Sequence, residues 1–337
     1  MSTLGLGALR VRAALPALLA LLLIVVVAVT ALGTTAGLIQ HRVAAGATVT
    51  LADAAAQSAA VRVTTHLADD VAAQDAAATT LFGDLFPEGG DLKLDACIPT
   101  DAAEPTAAVV LLHGGGFTEG DRTGGGMRAV CELFAAHGLA GFSIDYRLAP
   151  EFVYPSQVDD VEAAISWIRE PEQVERFGID PARIGLFGSS AGAILTQSVA
   201  TRGTGSLQEG GRVAAAVSLS GVSLMTEEAL TLGTPSDEAA AMILNYLGCP
   251  TVVAADCPQA AEASAELSVD SSDPPMILVN GSDELVPVEQ AQSMAAALKA
   301  ANVPVQLSVQ DGSKHGIQLL GPRVRARVLE FFTERLS

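Results

Sequence analysis

With 337 residues, 50% of them hydrophobic and 17% charged, the chain carries enough apolar material for one large core. Its 38 acidic residues outnumber 19 Lys and Arg, a formal net charge of -19 that repels phosphate backbones. Aromatic residues make up only 4%, too few for a base-stacking surface, so nucleic acid is excluded as a partner.

The N-terminus is a class of its own. Residues 13–40 hold no Asp, Glu, Lys or Arg, and Leu15 to Leu32 is almost wholly Leu, Val, Ile and Ala behind Arg10 and Arg12. The run approaches the ~20 residues that cross a bilayer and exceeds the roughly 7–15 of a signal-peptide core. Its length, and the lack of a clean A-x-A at its end, favour an uncleaved transmembrane anchor. The competing reading is a signal peptide cut near Val29/Ala31 or Thr34/Ala36. In both, the arginines stay in the cytoplasm and the rest is exported. Residues 1–37 are therefore expected to be the targeting segment and 38–79, rich in Ala, Thr and Asp, a stalk. Residues 80–337 are expected to form a single globular domain.

From Leu81 the pattern becomes periodic. Residues 81–99 predict two short antiparallel strands around a turn at Glu88 to Gly90. A continuous apolar run at 107–112 predicts a buried parallel strand ending in His113-Gly114-Gly115-Gly116-Phe117. Helix 127–137, strand 140–144, helix 157–169, strand 183–187 and helix 191–201 follow. Strands at 214–221 and 275–281, helix 288–300, strand 303–310 and helix 323–335 complete the domain. Alternating strands and helices imply a mostly parallel sheet of about eight strands, covered on both faces. The connection 222–272 has no strong strand pattern and reads as a lid or substrate-binding insertion.

Three stretches carry chemistry. Glycines 114–116, directly after a buried strand, let backbone N–H groups approach a developing oxyanion, with Gly115 and Gly116 as the expected donors. His113 is read as a support for that loop. Phosphate-binding loops are excluded by the lack of a following G-K-[ST]. Gly188-Ser189-Ser190-Ala191-Gly192 is a G-x-S-x-G sequence between an apolar strand and an amphipathic helix. That context makes Ser190 a candidate nucleophile on a strained turn, with the Ala191 N–H as a third oxyanion donor. The base is expected late in the chain. His315, between the last strand and last helix, is the candidate, since His41 and His66 fall in the stalk and His137 ends a helix. A carboxylate must orient the imidazole. Asp283, just past the strand at 275–281, is the first choice and the adjacent Glu284 the second.

Export alters the reading of the four cysteines. Cys249 and Cys257, eight apart, are expected to form a disulfide. Cys97 and Cys131 fit either a bridge or two buried thiols. Their spacing suggests no metal site, and the chemistry requires no cofactor.

From Leu81 onward the chain resembles the α/β-hydrolase-fold carboxylesterases, in particular the hormone-sensitive-lipase-like group with an HGGG segment. The likeness rests on residues 113–122 (HGGGFTEGDR), 143–151 (SIDYRLAPE), 177–193 (FGIDPARIGLFGSSAGA), 283–287 (DELVP) and 314–316 (KHG). It implies the triad Ser190, Asp283 and His315, and a structural role for Asp145 and Arg147 around the site. Two positions depart from the common pattern: Ser189 stands where Asp is frequent and Ala193 where a glycine is. The loop between Gly281 and Asp283 is also one residue short. The expected activity is hydrolysis of esters with a short acyl group through an acyl-enzyme. Small-molecule, polysaccharide and lipid esters all fit it as substrates. The rivals are an amide or peptide hydrolase and a catalytically silent surface protein on the same fold.

Overall fold

The computed structural model describes residues 78–81, 92–100 and 105–337. The first half holds β1 (Ala78–Leu81), β2 (Lys93–Cys97), β3 (Thr106–Leu112), α1 (Met127–Ala136), β4 (Ala140–Ile144), α2 (Ser156–Ile168) and α3 (Pro171–Phe177). Then come β5 (Ile179–Ser189), α4 (Ala191–Thr201), β6 (Ala215–Leu219), α5 (Asp237–Leu247) and α6 (Ala260–Ala263). Last are β7 (Met276–Gly281), α7 (Val288–Ala300), β8 (Val305–Gln310) and α8 (Pro322–Arg335).

The strands form one sheet in the order β1-β2-β4-β3-β5-β6-β7-β8. β1 pairs antiparallel with β2 and β2 with β4, while every pairing from β4 to β8 is parallel. All seven residues of β3 are buried, as a central strand covered on both faces requires. Alternation then divides its side chains between two layers. Ala108, Val110 and Leu112 pack with Val158, Val161 and Ile165 of α2 and Ile194 and Leu195 of α4. Val109 and Leu111 face Val130 and Phe134 of α1 and Val328, Phe331 and Phe332 of α8. Toward the far edge, Met294 and Leu298 of α7 cover Met276 and Leu278 of β7.

The sheet and helices match the expected architecture, with instructive differences. β5 starts at Ile179, before the expected Arg183, and runs to Ser189, directly beneath the nucleophile candidate. The first hairpin strand lies slightly earlier than expected, with Leu81 opposite Lys93. The proposed turn at 88–90 and the apolar segment at 13–40 lie outside the described residues. Among those described, no helix is long and apolar enough to cross a membrane.

The connection 222–272 is partly helical. Ser236 caps α5 by accepting from the Ala239 N–H at 3.1 Å, and Gly248 ends it at φ 66°. The Cys249–Cys257 disulfide follows immediately, and a second joins Cys97 of β2 to Cys131 of α1. Chain-entropy estimates give the short loop about 2–3 kcal/mol and the longer one about 4.

Candidate active site

The parallel strands end on one edge of the sheet, and the candidate residues gather there. β5 runs straight into Ser190, whose backbone sits at φ 55°, ψ -117°, a conformation that is costly for a side-chain-bearing residue. Sterics around it leave the flanking positions no alternative to glycine. A Cβ at Gly188 would lie 2.1 Å from the Gly192 carbonyl oxygen, and one at Gly192 would lie 2.2 Å from that of Leu112. The turn is also held from the next strand, since the Ser190 N–H donates to the Leu219 carbonyl at 2.8 Å.

The glycine loop after β3 lies against this turn. A Cβ on Gly114 would meet the Ser190 Cβ at 3.2 Å, and Gly115 and Gly116 have φ of 121° and 59°. His113 is buried below the loop, stacked on the Tyr146 ring at 4.2 Å between centroids, with Nδ1 2.7 Å from the Gly114 oxygen. The Tyr146 hydroxyl donates to the His113 carbonyl at 2.8 Å. Burial holds the His113 imidazole below its ordinary pKa of 6.5, and so neutral. Arg122 fixes the far end of the loop by bridging Asp95 at 2.9 Å and Asp145 at 3.0 Å. Arg147 pairs with the buried Asp160 of α2 at 2.7 Å.

His315 lies on the loop after β8. Its Nε2 is 2.8 Å from the Ser190 Oγ. Its Nδ1 hydrogen-bonds the carboxylate of Glu284, which is fully buried. This corrects the expectation for Asp283. The Asp283 side chain is exposed, and its backbone N–H donates to the Gly312 carbonyl at 3.1 Å. The reason is local. Gly281 passes under the histidine loop, where a Cβ would lie 2.7 Å from the Lys314 oxygen. Ser282 and Asp283 are then stitched to residues 310–312 by backbone bonds, which leaves residue 283 facing outward. The next residue turns back, and the extra methylene of glutamate spans the distance to the imidazole.

Three residues that the sequence reading passed over complete the arrangement. Asn280, buried, donates to the Val286 carbonyl at 3.0 Å and pins the ends of the acid turn together. Ser220, just after β6, donates to Glu284 Oε1 at 2.8 Å. Met242 of α5 closes on the glycine loop, so that a Cβ on Gly116 would be 3.1 Å from its Sδ. The helix itself could have been found from Ser236, three residues before Ala239, and from Gly248 at its end. Nothing local marks Ser220.

Helix α5 also walls an apolar cavity of about 310 Å³, lined by Val222, Leu224, Ile243, Leu244, Val252 and Pro287 among others. The same helix also secures the glycine loop, because Tyr246 stacks on Phe117 with ring centroids 3.9 Å apart.

The BD-FAE family model matches residues 94–298, more than half of the chain. Esterase LipC of Mycobacterium tuberculosis is 30% identical over 240 residues, covering 67% of this chain and 58% of that protein. Arylacetamide deacetylase of Bos taurus is 47% identical over 58 residues, covering 17% of this chain and 14% of that one. The chain thus spans less than two thirds of the length of either relative. Among solved structures, the thermophilic esterase Est2 of the Planctomycetes species Thermogutta terrifontis aligns with a TM-score of 0.60 at 26% identity. That alignment covers 77% of this chain and 91% of that one.

Proposed function

The chain belongs to the BD-FAE family and has the α/β-hydrolase fold, and on that premise we propose that it is a serine carboxylesterase. One observation carries the reading: an unbroken hydrogen-bonded line from Ser190 Oγ through His315 to a buried carboxylate. His315 Nε2 takes the Ser190 proton as the oxygen attacks the ester carbonyl. Glu284, in the role first assigned to Asp283, holds the imidazole tautomer and stabilises the imidazolium. Gly115, Gly116 and Ala191 N–H groups receive the oxyanion, each such donor lowering the barrier by about 3 kcal/mol. The imidazolium then protonates the departing alcohol, and water, activated by the same imidazole, releases the acid from Ser190.

Short acyl groups are the proposed substrates. The likeness to a protein named as an arylacetamide deacetylase favours amide hydrolysis as the second reading. Both disulfides support an oxidising, extracytoplasmic location for the domain. We propose that the N-terminal apolar run holds it at the membrane. Fractionation with N-terminal sequencing distinguishes this from secretion after cleavage.

The test is a fluorophosphonate probe together with p-nitrophenyl acetate, butyrate and octanoate and an arylacetamide. Wild type should label and turn over the short esters fastest, and Ser190→Ala should do neither, with kcat down on the order of 10⁵-fold or more. Equal labelling of the two proteins refutes the nucleophile. Turnover of the amide alone moves the assignment to the second reading.

A further inference from the structure

Resting on that reading, we infer that Ser220 is a positioning residue that locks the acid and the base of the triad into one unit. Its hydroxyl donates to Glu284 Oε1 at 2.8 Å and accepts from the backbone N–H of Gly316 at 2.8 Å. Gly316 is the neighbour of His315, so the imidazole loop is tied to the carboxylate twice. One tie is direct, through Nδ1 to Oε2, and the other passes through Ser220 to Oε1. The Gly281 N–H adds a second donor to Oε1 at 2.7 Å. Both carboxylate oxygens are thereby engaged, and the carboxylate has no freedom to rotate away from the ring.

The backbone supplies an independent argument. Ser220 is fully buried and has φ 63°, where glycine would be less strained. Strain of this kind persists where the surroundings over-determine a residue, and it clusters at working sites. Its N–H bonds the Val279 carbonyl at 2.9 Å, so the residue bridges the ends of β6 and β7 at the point where the acid turn begins. A serine here gains nothing in backbone energy. What it adds over glycine is one hydroxyl, placed between the two loops that must meet.

The test compares Ser220→Ala with Ser220→Gly. Alanine removes the hydroxyl and keeps the strain; glycine removes both, so it protects the fold. The readouts are the rate of Ser190 labelling by a fluorophosphonate, kcat and KM on p-nitrophenyl butyrate, and the melting temperature. Both variants should label and turn over about tenfold more slowly with KM unchanged, the size expected for one hydrogen bond to a charged group. The glycine variant should melt no lower than the alanine variant while being just as slow. A glycine variant that labels at the wild-type rate overturns the inference, and so does a loss confined to KM or one that follows the melting temperature. A wild-type protein inert to the probe would instead refute the hydrolase reading itself.

Discussion

Two turns meet at the site and are built on different principles. The nucleophile turn at 188–192 is held by exclusion: backbone oxygens crowd both glycine positions to within about 2.2 Å of any Cβ, so one geometry survives. The acid turn at 281–287 is held by attachment, through the Asn280 amide, the backbone bonds of Ser282 and Asp283, and the donors around Glu284. Exclusion leaves a mark in residue type, because only glycine fits. Attachment leaves none, since the choice between two adjacent acidic residues is decided by the path of the backbone.

The sharpest way to break this comparison is at the acid turn. Glu284→Gln should keep the shape and lower kcat by roughly 10³–10⁴-fold, as loss of the oriented carboxylate does elsewhere. Asp283→Asn, at an exposed side chain, should stay within about twofold. Steady-state kinetics on one ester measures both, and the reverse ranking would restore Asp283 to the triad.

At the nucleophile turn the expected effect is on folding. Gly192→Ala must push its methyl into the Leu112 and His113 carbonyls, 2.2 and 2.5 Å away, and both belong to backbone that cannot yield. A loss of about 3 kcal/mol or more in chemical denaturation is expected, with little soluble protein. A variant of wild-type stability would show that the turn is softer than its contacts imply.

The smallest effect concerns pH. His113 supports the glycine loop as a neutral ring, with its folded pKa below 6.5 because it is buried. Below pH 6.5 the unfolded chain binds a proton that the folded chain refuses, so stability falls as pH drops toward the folded value. It is fully present above about 6.5. Wild type should therefore lose more stability than His113→Gln between pH 7.5 and 5.5. Parallel curves would mean that the ring titrates normally.

The same contrast explains what could be read in advance. The sheet was legible because central strands such as β3 must be apolar on both faces, and the glycine-bearing turns because sterics restrict their composition. His315 was found by elimination among five histidines. Asp283 was chosen over Glu284 by counting back from Val286-Pro287 across a loop seen to be one residue short, and composition does not tell which of two adjacent carboxylates the backbone turns toward the imidazole. Ser220 was missed because its role lies in a pair of long-range hydrogen bonds rather than in any local pattern. Helix α5 was passed over although its capping serine and terminal glycine were present, since a search for strands does not weigh them.

The Phe117–Tyr246 stack has a consequence for engineering. The oxyanion loop leans on an aromatic ring contributed from the 222–272 connection, so that connection is not an interchangeable module. A chimera that imports a foreign loop to alter selectivity will also slacken the amides that meet the charged intermediate, unless the graft brings its own ring to the place of Tyr246.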